Sequence, residues 1–540
     1  MPHVGDMICF QTKSGVMTGV ILDDTDLLNR YPVLFLEPAL PDIAPNLRLS
    51  ADDLPPGISG QGDLAIDPYQ SHRIPADKLE KTMISHPMPV RGMDKIFRAM
   101  GMCAARGEYR HVHAPRAFEP GISPVPASAK SWGEEEMVSL TDAALDFWLT
   151  AGRFCHQFED TFAKTVGRQH ALAVNSGSSA NLLAMSVLCS PALGEKRLKH
   201  GDEVLTVAAA FPTTVAPIVQ LGLTPVFVDV TPPTFNVDTA CLAAAVGPRT
   251  RAIFLAHTLG NPFDLDAVQS LACKHGLWLV EDTCDALGSR YTADGEGQPR
   301  MCGSFGHLAT YSFYPAHHIT MGEGGAVVCD DPRLWRIARS LRDWGRDCWC
   351  PPGCDDTCKR RYQWEFTNLP KGYDHKYVYS HLGYNLKITD MQAAVGLRQL
   401  ERLENFARAR RRNFDSLYEA LLPLENEMQL PEPTPKSEPA WFGFPVLLRP
   451  HVDRTDLLHY LNTRRIGTRL LFAGNIVRQP CFAGVRFRQE GDLTHTDDIM
   501  RRAFWVGCHP RLNEAHIRYM ANALFTYFSR KTFHHAPVQQ

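Results

Sequence analysis

The chain has 540 residues, 44% hydrophobic and 21% charged, which suits a folded protein of two to four domains rather than one. Its 56 Lys and Arg against 59 Asp and Glu leave a formal net charge of −3, which argues against a dedicated nucleic-acid binder. Fifteen cysteines spread over that length exclude a small disulfide scaffold.

The N-terminus, Met1-Pro2-His3-Val4-Gly5-Asp6, has no basic segment leading into an apolar one, so no signal peptide is expected. The longest apolar runs, such as Leu182 to Cys189, cover about eight residues, whereas a membrane span needs roughly 20. A soluble, cytoplasmic protein is expected, its cysteines serving as thiols, metal ligands or redox groups.

Asp6 to Leu22 mixes apolar and small polar residues around Lys13-Ser14-Gly15, a plausible hairpin turn, and Tyr31 to Leu36 is rich in β-formers. Pro, Asp and Gly dominate Pro38 to Pro68, including Pro55-Pro56-Gly57, which reads as loop or linker. Residues 1–80 are therefore expected to form a small β-rich domain or a partly ordered extension, with no catalytic constellation. Trp132 to Val166 reads as helices. Ala171 to Val174, Glu203 to Ala208, Pro225 to Val230, Arg251 to Ala256 and Leu277 to Val280 read as buried strands separated by helices. Strands and helices alternating at this spacing predict an α/β fold, a mostly parallel sheet covered on both faces. Asp390 to Leu422 keeps a helical period through Met391, Val395, Leu397 and Leu400. The remainder to Gln540 predicts a smaller α+β domain. The expected division is 1–80, a large domain 81–400, and a small domain 401–540.

Three features along the large domain point to one site. Asn175-Ser176-Gly177-Ser178-Ser179 follows a strand and opens a helix, which suits a phosphate or simply a Ser-capped helix. Leu279-Val280-Glu281-Asp282 puts a carboxylate at the C-terminal end of an apolar strand, the edge where open α/β sheets bind ligands. Asp282 there either pairs with the ring nitrogen of a pyridoxal-type cofactor or caps a helix. Ser312-Phe-Tyr314-Pro-Ala-His317-His318 precedes a Gly-rich loop ending at Gly325, the layout found around the Schiff-base lysine of fold-type I pyridoxal phosphate enzymes. A fourth feature stands apart: Cys348, Cys350, Cys354 and Cys358 fall within eleven residues. Their spacing alone admits an iron–sulfur cluster or a zinc site.

From about residue 95 to 535 the chain resembles the DegT/DnrJ/StrS-type sugar aminotransferases, which modify nucleotide-linked keto-sugars. In that family the reactive lysine stands five residues after the Ser, where this chain has His317. No lysine lies between Arg290 and Lys359. Imidazole cannot hold a cofactor as an imine, but it moves protons near neutral pH. The resemblance thus implies fold-type I, non-covalent pyridoxamine phosphate (PMP, the amine form of PLP), and dehydration rather than transamination.

Within the superfamily the sequence is most similar to the iron–sulfur dehydrases that remove the C3 hydroxyl of CDP-4-keto-6-deoxyglucose. Cys348, Cys350 and Cys358 match their local C-x-C-x7-C pattern, and Cys284, two residues after Asp282, matches their distant cysteine. Its separation from Cys348, 64 positions, exceeds the family spacing by a few residues, which an insertion within Thr292 to Met301 would explain. Cys302 and Cys354 are the alternative fourth ligands.

The resemblance further implies that Phe211 lies over the cofactor ring. It implies Asp285 near the ring, Tyr314 in the loop before His317, and Asn385 reaching the cofactor phosphate of a partner subunit. The segment Thr468 to Asn475 resembles the dehydrase stretch near the sugar nucleotide. The partners implied are a nucleotide-linked 4-keto-6-deoxy sugar, an NADH-dependent flavin and iron–sulfur reductase that feeds a 2Fe-2S cluster, and a second copy in a homodimer with shared active sites. The product class, 3,6-dideoxysugars, feeds O-antigen and related glycans. The alternatives are a cluster-independent PMP dehydratase and a non-catalytic sugar-nucleotide-binding protein with a zinc site.

Overall fold

The structure, a computed structural model, describes residues 6–12, 15–21, 30–38, 48–49, 64–75, 86–87, 90–351 and 353–534. The chain divides into two compact units, one of Met1–Pro115 with Gly133–Phe147 and one of Arg116–Trp132 with Trp148–Gln540. The first unit therefore extends past residue 80.

In the first unit, Asp6–Thr12 and Gly15–Ile21 pair antiparallel from Met7↔Val20 to Thr12↔Gly15, which closes a hairpin at the expected place. Its turn residues Lys13 and Ser14 lie outside the described residues, as do Pro55, Pro56 and Gly57. The Tyr31 to Leu36 run falls in the strand Arg30–Pro38. The expectation of loop throughout Pro38 to Pro68 needs correcting, because Arg48–Leu49 and Leu64–Pro75 are strands. Leu64–Pro75 contains Pro68, which sequence reasoning treats as a strand breaker. Its ladder with Arg30–Pro38 is interrupted between Leu34↔Ser71 and Leu36↔Ile66, so Pro68 falls in the gap, where no ladder N–H is required. Two helices, Val90–Glu108 and Glu134–Asp146, complete this unit. Arg98 ties them together, with ion pairs to Asp94 at 2.9 Å, Asp142 at 2.7 Å and Asp146 at 2.8 Å.

The second unit is built on an eight-stranded sheet in the order Arg488–Gln489, Thr224–Val228, Glu203–Val207, Thr250–Ala256, Trp278–Asp282, Leu308–Ser312, Gly325–Cys329, His170–Val174. Neighbours pair in parallel except at Gly325–Cys329, which runs antiparallel to both of its neighbours. Successive side chains of a strand point to opposite faces, and here both faces are dry. Leu205, Ile253, Leu255 and Leu279 enter one core cluster, while Val204, Phe254 and Val280 enter the other. This is why the strands read as continuous apolar runs. A mostly parallel sheet with both faces buried is the architecture expected of fold-type I. A four-stranded sheet of Met428–Gln429, Gly443–Leu448, Ala503–Gly507 and Thr468–Arg469 belongs to the C-terminal part. The stretch Thr292 to Met301 forms an excursion in which Arg290–Tyr291 pairs antiparallel with Arg300–Met301. Among the described residues, no helix is long and apolar enough to cross a membrane.

The strand Trp278–Asp282 ends in two carboxylates that face opposite ways. Glu281 is fully buried and accepts hydrogen bonds from the amides of Gly303 (2.7 Å), Phe305 (2.8 Å) and Gly306 (2.5 Å) and contacts His257 Nε2 at 3.1 Å. Burial pushes its carboxyl up, but these donors and His257 outweigh burial and hold it below the ordinary value. It pins the loop that feeds the next strand, Leu308–Ser312. Glu281→Gln should cost about 3 kcal/mol in urea unfolding at pH 7, because it leaves buried donors badly matched. A depressed carboxyl stabilises the fold above its unfolded pKa, so the gap between wild type and variant should close as pH falls below about 4.

Candidate functional site

Asp282, on the other side of that strand end, opens into a cavity of about 470 Å³ at the C-terminal edge of the parallel strands. Its carboxylate is fixed by three donors. Oδ2 accepts from Asn181 Nδ2 at 2.9 Å and Thr214 Oγ1 at 2.7 Å, and Oδ1 accepts from the amide of Cys284 at 3.1 Å. Thr310 in turn donates to Asn181 Oδ1 at 2.6 Å. These donors fix the side chain in place at the chamber's edge.

Gly177 and Ser178 line the same cavity at the start of the helix Gly177–Leu188. A Cβ on Gly177 would lie 2.5 Å from Ser312 Cβ and 3.0 Å from Cys284 Sγ, so only glycine brings the helix start this close to the loop opposite. Ser176 caps the helix and accepts from the amide of Ser179 at 3.0 Å. The capping role thus falls to Ser176, while Ser178 is left facing the cavity. Ser179 serves the cap and does not line the cavity. The exposed amides and dipole of the helix start face the cavity and suit a phosphate.

Ser312, Tyr314 and His317 line the opposite wall. His317 Nδ1 stands 3.3 Å from Asp285 Oδ1, and its ring lies 5.2 Å from that of Phe442. The next residue, His318, faces away: it is buried and its Nε2 contacts the carbonyl of Ala440. Burial first, and then the Arg410 charge, push His318 well below the ordinary imidazole range. Of the two adjacent histidines, one faces the chamber and the other is part of the wall. Phe211 is half exposed at the rim, 6.3 Å from Phe472. Among the described residues, the cavity is lined by no lysine.

Asn181, Thr214, Phe442 and Trp505 also line this chamber, and sequence reasoning gave none of them a role; Arg469, also in the lining, belongs to the Thr468 to Asn475 segment. Asn181 carried a signal, since it sits one helical turn after Gly177 on the same face. Asn385 does not reach the chamber within this chain. It is exposed, and its Oδ1 accepts from Lys387 Nζ at 2.7 Å.

The expected cysteine set is brought together only in part. Cys348, Cys350 and Cys358 line one small cavity of about 10 Å³, with Asp355, Asp356, Arg361, His375 and Lys376 around it. Burial raises the Cys350 thiol, but hydrogen bonds from Thr357 and Cys358 outweigh burial and bring it down to about 7. Cys284 lines the large chamber instead, and burial with the neighbouring Asp282 pushes its thiol well up. Cys284 thus stands apart from the other three: the turn after Asp282 aims it at the chamber. Of the alternatives, Cys354 is exposed and Cys302 is buried in the core. Among the described residues, no three His, Cys, Asp or Glu side chains are arranged to hold a metal ion. The large chamber suits a phosphorylated pyridine in its volume, its anchored carboxylate and its helix start.

The DegT/DnrJ/EryC1/StrS aminotransferase family model matches residues 130–525. The lipopolysaccharide biosynthesis protein RfbH of Salmonella typhimurium is 54% identical over 417 residues, which cover 77% of this chain and 94% of the relative. A dTDP-4-dehydro-2,6-dideoxy-D-glucose 3-dehydratase of Saccharopolyspora spinosa is 48% identical, with coverages of 80% and 92%. The solved E. coli GDP-4-keto-6-deoxy-D-mannose-3-dehydratase with bound hydrated PLP superposes with a TM-score of 0.66 at 27% identity, covering 74% of this chain and 99% of that one. This chain belongs to the DegT/DnrJ/EryC1/StrS aminotransferase family.

Proposed function

We propose that this chain is a PMP-dependent 3-dehydrase that removes the C3 hydroxyl of a nucleotide-linked 4-keto-6-deoxyhexose, a CDP-sugar by its resemblance, in 3,6-dideoxysugar biosynthesis. The observation that carries the reading is His317: it faces the chamber where an aminotransferase needs a lysine, and no lysine lines the chamber among the described residues. The named 3-dehydratases among the relatives support the reaction class.

When bound, the cofactor supplies an amine for the sugar ketone and a ring that takes up electrons. The chain's own residues do the rest. Asp282 holds a proton at the ring nitrogen. The helix start at Gly177 and Ser178 binds the phosphate, with Asn385 lent to a partner subunit's phosphate in a homodimer. Phe211 and Tyr314 cover the ring, and Ser312 sets the loop before His317. His317, oriented by Asp285, takes a proton from the cofactor's C4′ carbon. A cytoplasmic setting belongs to the same reading.

We also propose a 2Fe-2S cluster on Cys348, Cys350 and Cys358 with Cys284 as fourth ligand, served by a separate NADH-dependent flavin and iron–sulfur reductase. Its support is the spacing of the four cysteines. The separate position of Cys284 favours a second reading, a PMP 3-dehydratase that works without a cluster. The discriminating experiment combines a visible spectrum and iron analysis of anaerobically purified protein with turnover of a CDP-4-keto-6-deoxyhexose, with and without an added reductase. About two irons per chain and reductase-dependent loss of the C3 hydroxyl are expected. A colourless, iron-free and active protein would sink the cluster, and an amino-sugar product would sink the dehydrase.

A further inference from the structure

Arg410, on the helix Leu403–Leu421, is 1% exposed and is among the largest fully buried side chains of the protein. A buried guanidinium is costly unless its donors are matched. Its Nη1 donates to the carbonyls of Trp441 at 3.0 Å and Phe442 at 3.1 Å, and its Nη2 to the carbonyl of His317 at 3.4 Å. These contacts belong to a longer clamp. The segment from Pro439 to Phe442 crosses behind the chamber before the strand Gly443–Leu448 begins, and side chains meet all four of its carbonyls. Arg411 Nε donates to Pro439 at 3.1 Å, and His318 Nε2 contacts Ala440.

Arg410 differs from the other two in one respect: it also grips the backbone of His317. It thus joins the residue facing the chamber to Phe442, whose ring packs 5.2 Å from the imidazole. Asp285 Oδ1 lies 3.3 Å from Nδ1 of the same imidazole. Imidazole and aromatic ring therefore share one buried anchor.

We propose that Arg410 is a positioning residue for the proton transfer: by bridging the main-chain carbonyls of His317 and Phe442, it fixes the imidazole against Asp285 and aims it into the chamber. This rests on the reading of His317 as the base. Misplacing a reacting group by about 1 Å costs on the order of 100-fold in rate, so Arg410→Met should slow solvent exchange at the C4′ carbon of bound PMP about that much while PMP affinity holds. In the cofactor-free protein, modification of His317 by diethyl pyrocarbonate should rise several-fold as the ring is released. Arg410→Lys should recover part of the exchange. Arg411→Met, which loosens the same segment without touching His317, should leave exchange close to wild type.

Wild-type exchange in a folded Arg410→Met protein overturns the proposal, and so does an equal loss in Arg411→Met. If Arg410→Met does not fold, Arg410→Lys decides: slowed exchange at unchanged PMP affinity supports the role, and wild-type exchange overturns it. Exchange that survives His317→Asn overturns the base reading and this proposal with it. Exchange lost in His317→Asn but untouched by Arg410 variants overturns the positioning role alone.

Discussion

His317→Asn should abolish hydrogen exchange at the C4′ carbon of bound PMP and lower 3-dehydration by about 10²- to 10⁴-fold, the range that a positioned acid–base group contributes. Asn keeps a polar side chain in the chamber but has no nitrogen that takes a proton near neutral pH. The wall around it should stay intact, because the fold there hangs on main-chain contacts: the amide of His317 donates to Tyr314 O at 2.9 Å, and its carbonyl meets Arg410. Cofactor affinity should therefore change little, since the anchors that bind ring and phosphate, Asp282 and the start of the helix at Gly177, are untouched. The measurement is proton NMR of the cofactor methylene in deuterated buffer, alongside a binding titration. Exchange at the wild-type rate would remove His317 from the base role and leave Tyr314 as the next titratable group on that wall.

Much of this site is legible in the sequence, for a physical reason. Asp282 ends an apolar strand, and an open α/β sheet delivers such a residue to the ligand edge by topology alone. Gly177 follows a strand and starts a helix, so its place needs no knowledge of distant contacts. His317 is legible only by comparison with a family, because a histidine in a turn has no period or partner that marks it. What escaped is long-range. Asn181 and Thr214 fix Asp282 from 101 and 68 positions away. Arg410 reaches His317 across 93 positions from inside an arginine-rich stretch that reads as a solvated helix face. The strand Leu64–Pro75 was hidden for a different reason: its proline falls in an interruption of the ladder, and only the pairing register reveals that.

Cys350→Ser should drop iron in anaerobically purified protein from about two atoms per chain to near zero and erase the broad visible absorbance. Thiolate, not thiol, binds iron, and the hydrogen bonds to the Cys350 thiol bring it down to about 7. Serine removes that ligand at nearly constant volume, so a loss of iron would not stem from misfolding, and circular dichroism should match wild type. Cys354→Ser tests the alternative fourth ligand: that exposed thiol lies outside the trio's cavity, so iron should be retained. Cys284→Ser divides the two readings of the reaction. Its thiol is held in the proton-bearing form by burial and Asp282, so ligating iron requires it both to leave the chamber and to lose a proton against that neighbour. If Cys284→Ser loses iron as Cys350→Ser does, binding a cluster must draw the trio's loop and the turn after Asp282 together, and the chamber and the metal share a wall. If it keeps full iron, the fourth ligand lies elsewhere and Cys284 is a neutral lining residue. If wild-type protein holds no iron yet still removes the C3 hydroxyl, the cysteines are only thiols, and the two electrons would come from conversion of PMP to its aldehyde form with loss of ammonia, so turnover would need glutamate to restore the amine.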